Sequence, residues 1–75
     1  MLRSTLILDF RESFSSDVLE GVKSSLRKKK NRETGFWIIT DFDPEECLDH
    51  LERKQYNYEA YFVSDQEYRV FIQPG

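Results

Sequence analysis

Phe36, Trp37, Ile38 and Ile39 form an uninterrupted run of four large apolar residues without a hydroxyl among them, and four residues are the span of a short strand rather than of a helix. A strand that is apolar at every position needs cover on both faces or nearly so, which makes it an interior strand. Everything else has to be built around it. Upstream, Leu6, Leu8 and Phe10 alternate with Thr5, Ile7 and Asp9, predicting a strand from Thr5 to Phe10. Downstream, Tyr58, Ala60 and Phe62 alternate with Glu59, Tyr61 and Val63; Ser64 to Glu67 reads as a turn; and Tyr68, Val70 and Ile72 alternate with Arg69, Phe71 and Gln73. Those two segments predict a hairpin.

Two helical stretches separate the first three strands. After the polar break Ser13 to Ser16, Asp17 and Glu20 have capping-box spacing and Val18, Leu19, Val22 and Leu26 recur at helical intervals, predicting a helix from about Asp17 to Lys29. Gly21 interrupts it at a cost of about 1 kcal/mol relative to alanine, so either a neighbour comes close there or the helix is simply weakened. The basic run Arg27, Lys28, Lys29, Lys30, Asn31, Arg32 closes this helix, where positive charge suits the negative end of the dipole, and Thr34 and Gly35 end it. Asp43 as N-cap, Pro44 at the first helical position and Glu46 three residues past the cap predict a second helix that carries Cys47, Leu48 and Leu51 on its buried stripe and fades near Lys54.

The order β-α-β-α-β-β, with no repeat or linker, defines one domain over residues 1–75. Two crossover helices that both cover one side of a four-stranded mixed sheet give the simplest arrangement, a two-layer α/β (α+β) sandwich. If Leu6, Leu8, Phe36, Ile38, Phe62, Val70 and Ile72 face the helices, alternation sends Ile7, Trp37, Ile39, Tyr61, Val63 and Phe71 to a face with no cover. Seventy-five residues make a thin core, one worth roughly 3 to 5 kcal/mol without a staple. A 15% aromatic content helps, because each large ring buries roughly 150 to 250 Å².

Composition narrows the class further. Cys47 is the lone cysteine, so no intrachain disulfide forms, and a cytoplasmic protein is expected. No run approaches the roughly 20 apolar residues that span a bilayer, and the start lacks a basic segment followed by an apolar one. Neither export nor contact with a membrane is expected. A net charge of −3 removes the overall positive field that draws a domain to nucleic acid.

The opening Leu8, Asp9, Phe10, Arg11, the segment Asp41, Phe42, Asp43, Pro44 before the second helix, and the aromatic hairpin Tyr58 to Val63 with Tyr68 to Ile72 together resemble the TusA/SirA-like superfamily of small sulfur-carrier-like proteins. The resemblance covers nearly the whole chain. It is closest to an uncharacterised branch with an aspartate-histidine-aspartate-proline segment, of which Phe42 replaces the histidine. It implies a TusA-like sandwich and, in the sulfur-carrying members, a cysteine-proline-x-proline motif opening the first helix. Ser15, Ser16, Asp17 and Val18 stand there, and a serine hydroxyl forms no persulfide. Sulfur transfer by the family mechanism is therefore not expected.

For catalysis the chain offers one histidine, no glycine-flanked serine and carboxylates that read as helix caps, so no catalytic residue is assigned and no enzyme is expected. One cysteine and one histidine, Cys47 and His50, do not make a usual zinc site; neither metal nor cofactor is expected, and His50 reads as solvent-facing. The uncovered sheet face, with Trp37, Ile39, Tyr61 and Phe71, is the candidate binding surface for a protein partner or a second copy. Two alternatives remain: a redox or sulfur-relay thiol at Cys47, and RNA contact through the basic patch Arg27, Lys28, Lys29, Lys30 and Arg32.

Overall fold

A computed structural model describes residues 5–74. β1 (Leu6–Asp9), α1 (Ser15–Leu26), α2 (Lys29–Thr34), β2 (Phe36–Thr40), α3 (Glu45–Arg53), β3 (Tyr58–Ser64) and β4 (Glu67–Ile72) follow in that order. The sheet runs β1-β2-β4-β3, with β1 parallel to β2 and β4 antiparallel to both β2 and β3. It is a four-stranded mixed open sheet in a two-layer α+β sandwich, as the alternation of patterns predicts. The run Phe36 to Ile39 is the interior strand β2, extended by Thr40.

Register settles which residues share a face. Leu6, Phe36, Ile72 and Tyr58 lie in one row across the sheet, and Leu8, Ile38, Val70 and Ala60 lie two residues further along on the same side. Phe36, Ile38, Val70 and Ile72 are fully buried there against Val18, Val22 and Leu26 of α1 and Cys47 and Leu51 of α3. Both long helices therefore lie on one side. The least extent of the molecule, 19 Å, is that of one sheet and one helix layer. Among the described residues, Thr40 and Ser25 are the buried polar ones, and the Thr40 Oγ1 donates to the Phe42 carbonyl at 2.6 Å.

Several local expectations are corrected. The first helix starts at Ser15 rather than Asp17, with Phe14 as N-cap and no side-chain capping bond. The basic run does not prolong α1. Lys28 is extended, and a separate short helix α2 follows, giving three helices in place of two. A continued helix would have stacked like charges at i,i+3 and i,i+4 spacing. After the break, the chain turns back, and the Asn31 amide and Arg32 guanidinium donate to the Ser25 and Leu26 carbonyls at the end of α1, the Ser25 carbonyl also taking the Lys28 N–H. The second long helix begins at Glu45, with Pro44 rather than Asp43 at the cap. The carbonyl of Asp43, not its carboxylate, accepts from the Glu45 N–H, at 2.9 Å.

Gly21 has a packing reason. The Phe10 ring lies against it so closely that a Cβ would meet Cζ at 2.5 Å. Phe62 departs from its expected place. Its row puts it on the helix side, yet it is 63% exposed, because the helices cover β1, β2 and β4 and stop short of the outer half of β3. Val63 sits in a register shift between Phe62 and Ser64.

Candidate functional site

Two rows make up the side of the sheet that the helices do not cover. One carries Ile7, Trp37, Phe71 and Glu59, the other Asp9, Ile39, Arg69 and Tyr61. All four residues expected at the binding surface, Trp37, Ile39, Tyr61 and Phe71, meet there. Trp37 is the centre, with ring centroids 5.0 Å from Phe71 and 5.8 Å from Tyr61, within the range of favourable tilted packing. These mutual contacts leave Trp37, Ile39 and Phe71 half-buried, while Ile7 and Tyr61 stay exposed.

Charged groups rim the aromatic cluster and are tied to each other. The Tyr61 hydroxyl and the Gln73 amide both donate to the Glu59 carboxylate, and the Arg69 guanidinium pairs with Glu67. An apolar centre inside a polar rim is the anatomy of a protein interface. A hollow on this face, lined by Ile7, Trp37, Ile39 and Arg69, has about 150 Å³. Small-molecule sites need roughly 300 to 1,000 Å³, so the face suits a flat partner better than a small ligand.

A larger depression lies at the carboxyl ends of the parallel strands β1 and β2. It holds about 650 Å³ and is lined by Asp9, Arg11, Glu12, Asp41 and Glu67 among others. Arg11 makes a two-pronged pair with Asp9, its Nη2 at 2.7 Å from Oδ2, and its N–H donates to the same carboxylate. These bonds to Arg11 hold the Asp9 carboxyl down from the usual 3.8 to about 2. The Glu12 N–H donates to Asp41 at 2.8 Å, and Glu12 has a φ of +70°. The segments around Asp9 and Asp41 thus meet in space, although 29 residues separate Glu12 from Asp41. Periodicity carries no signal for such a meeting; only the parallel pairing of β1 with β2 creates it. The lining is almost wholly polar, with no apolar floor for an organic ligand.

Phe42, in the Asp41 to Pro44 segment, packs against the hydrophobic core. Cys47 is buried in that core at 2% exposure, and desolvation pushes its thiol up to about 11, so at neutral pH it is protonated. His50 is half-buried instead of solvent-facing, and its pKa is pulled down by desolvation, then by Lys23, Lys54 and Arg53. Among the described residues, no three His, Cys, Asp or Glu side chains come together in a group fit to hold a metal. No helix there is long and apolar enough to cross a membrane.

The basic run is divided by the break at Lys28. Arg27 and Arg32 face a hollow with Lys23, His50 and Lys54, whereas Lys28 and Lys30 face a different one beside Leu6 and Ile7. Lys29 is exposed, with Glu33 at 3.7 Å. Comparison of the chain with family models, curated proteins and solved structures gives no match.

Proposed function

We propose that this chain is a non-catalytic interaction module of TusA-like type that docks a protein through the uncovered face of its sheet, in the cytoplasm. The observation that carries this reading is the Trp37, Tyr61, Phe71 cluster, flat, rimmed by tied charges and lacking cover from the chain's own helices. Aromatic anchors of this kind supply most of the binding energy at protein interfaces. The serines at Ser15 and Ser16, where a sulfur carrier would have its cysteine, support a role without persulfide chemistry. The protonated, buried Cys47 supports the same conclusion for the second half of the chain.

Site-specific photo-cross-linking tests the reading. A benzophenone side chain in place of Ile39, in native host extract, should give one discrete covalent adduct, and Trp37→Lys in the same chain should remove it. A control probe at Lys29, on α2, should not give that adduct. An adduct of twice the chain's mass would identify the partner as a second copy. If the Ile39 probe yields nothing beyond the Lys29 control, the docking face is wrong.

A further inference from the structure

One backbone bond fixes which peptide groups of the edge strand β3 are free. The Gln73 N–H donates to the Asn57 carbonyl at 2.9 Å, in the register that places Tyr58 opposite Ile72. Asn57 is thus a hydrogen-bonded position of the antiparallel ladder, and such positions alternate along a strand. Glu59 and Tyr61 turn their peptide groups toward β4. Tyr58, Ala60 and Phe62 turn N–H and C=O outward, on a side where no strand lies among the described residues.

The two edges of the sheet are treated differently. β1 has four residues, and Lys28 and Lys30 line the hollow beside Leu6 and Ile7; short length and lysine are common devices that discourage edge pairing. β3 has seven residues with neither lysine nor proline. Its register shift comes after Phe62 and leaves Tyr58 to Phe62 regular. Apolar side chains stand out on both its faces, Phe62 at 63% and Tyr61 at 46% exposure. Its one charge, Glu59, lies on the open face and is held by Tyr61 and Gln73.

We propose that β3 pairs antiparallel with β3 of a second copy about a two-fold axis at Ala60, joining the two sheets into one. In this register Tyr58 faces the partner's Phe62, and Ala60 faces the partner's Ala60. The outward N–H and C=O groups of Tyr58, Ala60 and Phe62 are then all bonded, and none is left over. On the open face, Tyr61 stands opposite the partner's Glu59, so its one phenol proton can be donated to the partner's carboxylate in place of its own chain's. Glu59 never faces its own copy, so no like charges oppose one another. Three residues a side make a contact shorter than a standard interface, and the dimer is expected to be weak, with Kd between about 1 µM and about 1 mM. The pairing does not depend on the open face having a partner, because the outward peptide groups of Tyr58, Ala60 and Phe62 carry it and only Tyr61 and Glu59 are shared with that face.

Sedimentation equilibrium and amide-exchange NMR on the full chain, from about 10 µM to about 1 mM, test it. The mass should rise from 9.0 kDa toward twice that value, and exchange at Ala60 and Phe62 should slow by about tenfold or more as the dimer fills. Ala60→Pro removes the N–H at the axis without touching a bond to β4, and Phe62→Lys installs the missing guard charge. Each folded variant should stay monomeric, while Trp37→Lys should leave the dimer intact even if it abolishes docking at the face. Where a variant does not fold, exchange in the unmodified chain decides. A monomer throughout, a dimer whose Ala60 and Phe62 amides exchange as fast as in dilute protein, or a dimer lost in Trp37→Lys and kept in Phe62→Lys would overturn the edge pairing.

Discussion

Cys47 behaves as a small core side chain whose chemistry shows only at high pH. Burial raises its thiol pKa from 9.0 to about 11, so the folded chain holds this proton more tightly than the unfolded chain does. Stability is then fully present below pH 9 and falls as pH rises toward about 11. Two units correspond to about 2 to 3 kcal/mol, enough to matter in a domain this small. Denaturant unfolding should therefore show the stability gap between wild type and Cys47→Ala narrowing by about that amount between pH 8 and pH 11; a constant gap would mean that the thiol does not titrate as burial requires. The residue was legible in the sequence as part of an apolar stripe. Asp43 was less so, because a pattern of residue types cannot say whether an aspartate caps with its carboxylate or, as here, stands one residue ahead of the cap and accepts only through its backbone carbonyl.

Among the elements, α3 shows how a helix end is fixed by conformation rather than by residue type. Its chain stops in a Schellman arrangement: the Tyr56 N–H donates to the Leu51 carbonyl at 2.8 Å and the Gln55 N–H to that of Glu52 at 3.0 Å. Gln55 supplies the left-handed turn at a φ of +63°, a position that glycine fills at least cost. Gln55→Gly should raise stability by about 0.5 to 1 kcal/mol, measured by urea unfolding; destabilisation would show that the Gln55 side chain contributes something its contacts do not reveal. The fading of the apolar pattern near Lys54 marks this end correctly, although no glycine announces it. The end of α1 was harder to read. A run of bases can close a helix or start a new one, and the choice rests on whether Asn31 and Arg32 can reach back to the carbonyls of Ser25 and Leu26. That is a question of three-dimensional reach.

At the scale of the whole molecule, one helix layer on one sheet face leaves little reserve. Leu51 is fully buried in the single core, and truncating such a leucine costs about 2 to 5 kcal/mol against a total of roughly 3 to 5. Leu51→Ala should leave the chain largely unfolded at room temperature by circular dichroism, whereas Leu48→Ala, half-buried on the same helix, should remain folded. Equal behaviour of the two would mean that the core is not where these contacts place it. The one-sided cover was legible because strand alternation fixes two faces and only two long amphipathic helices exist to cover them. The exposed outer half of β3 was not, since Phe62 follows the buried pattern of its strand. Its exposure comes from strand order, which puts β3 at the rim beyond the reach of the helices. The meeting of Asp9, Arg11 and Asp41 has the same origin in topology.

The strand order also has a consequence for how the chain is made. β4 lies between β2 and β3 although it follows both in the sequence. While the ribosome is still translating, Phe36, Ile38 and their neighbours emerge with one flank unmatched, and nothing synthesised up to that point can fill the gap. The nascent polypeptide must keep this apolar strip unpaired on that flank until β4 has emerged, so the sheet closes only after that strand is made.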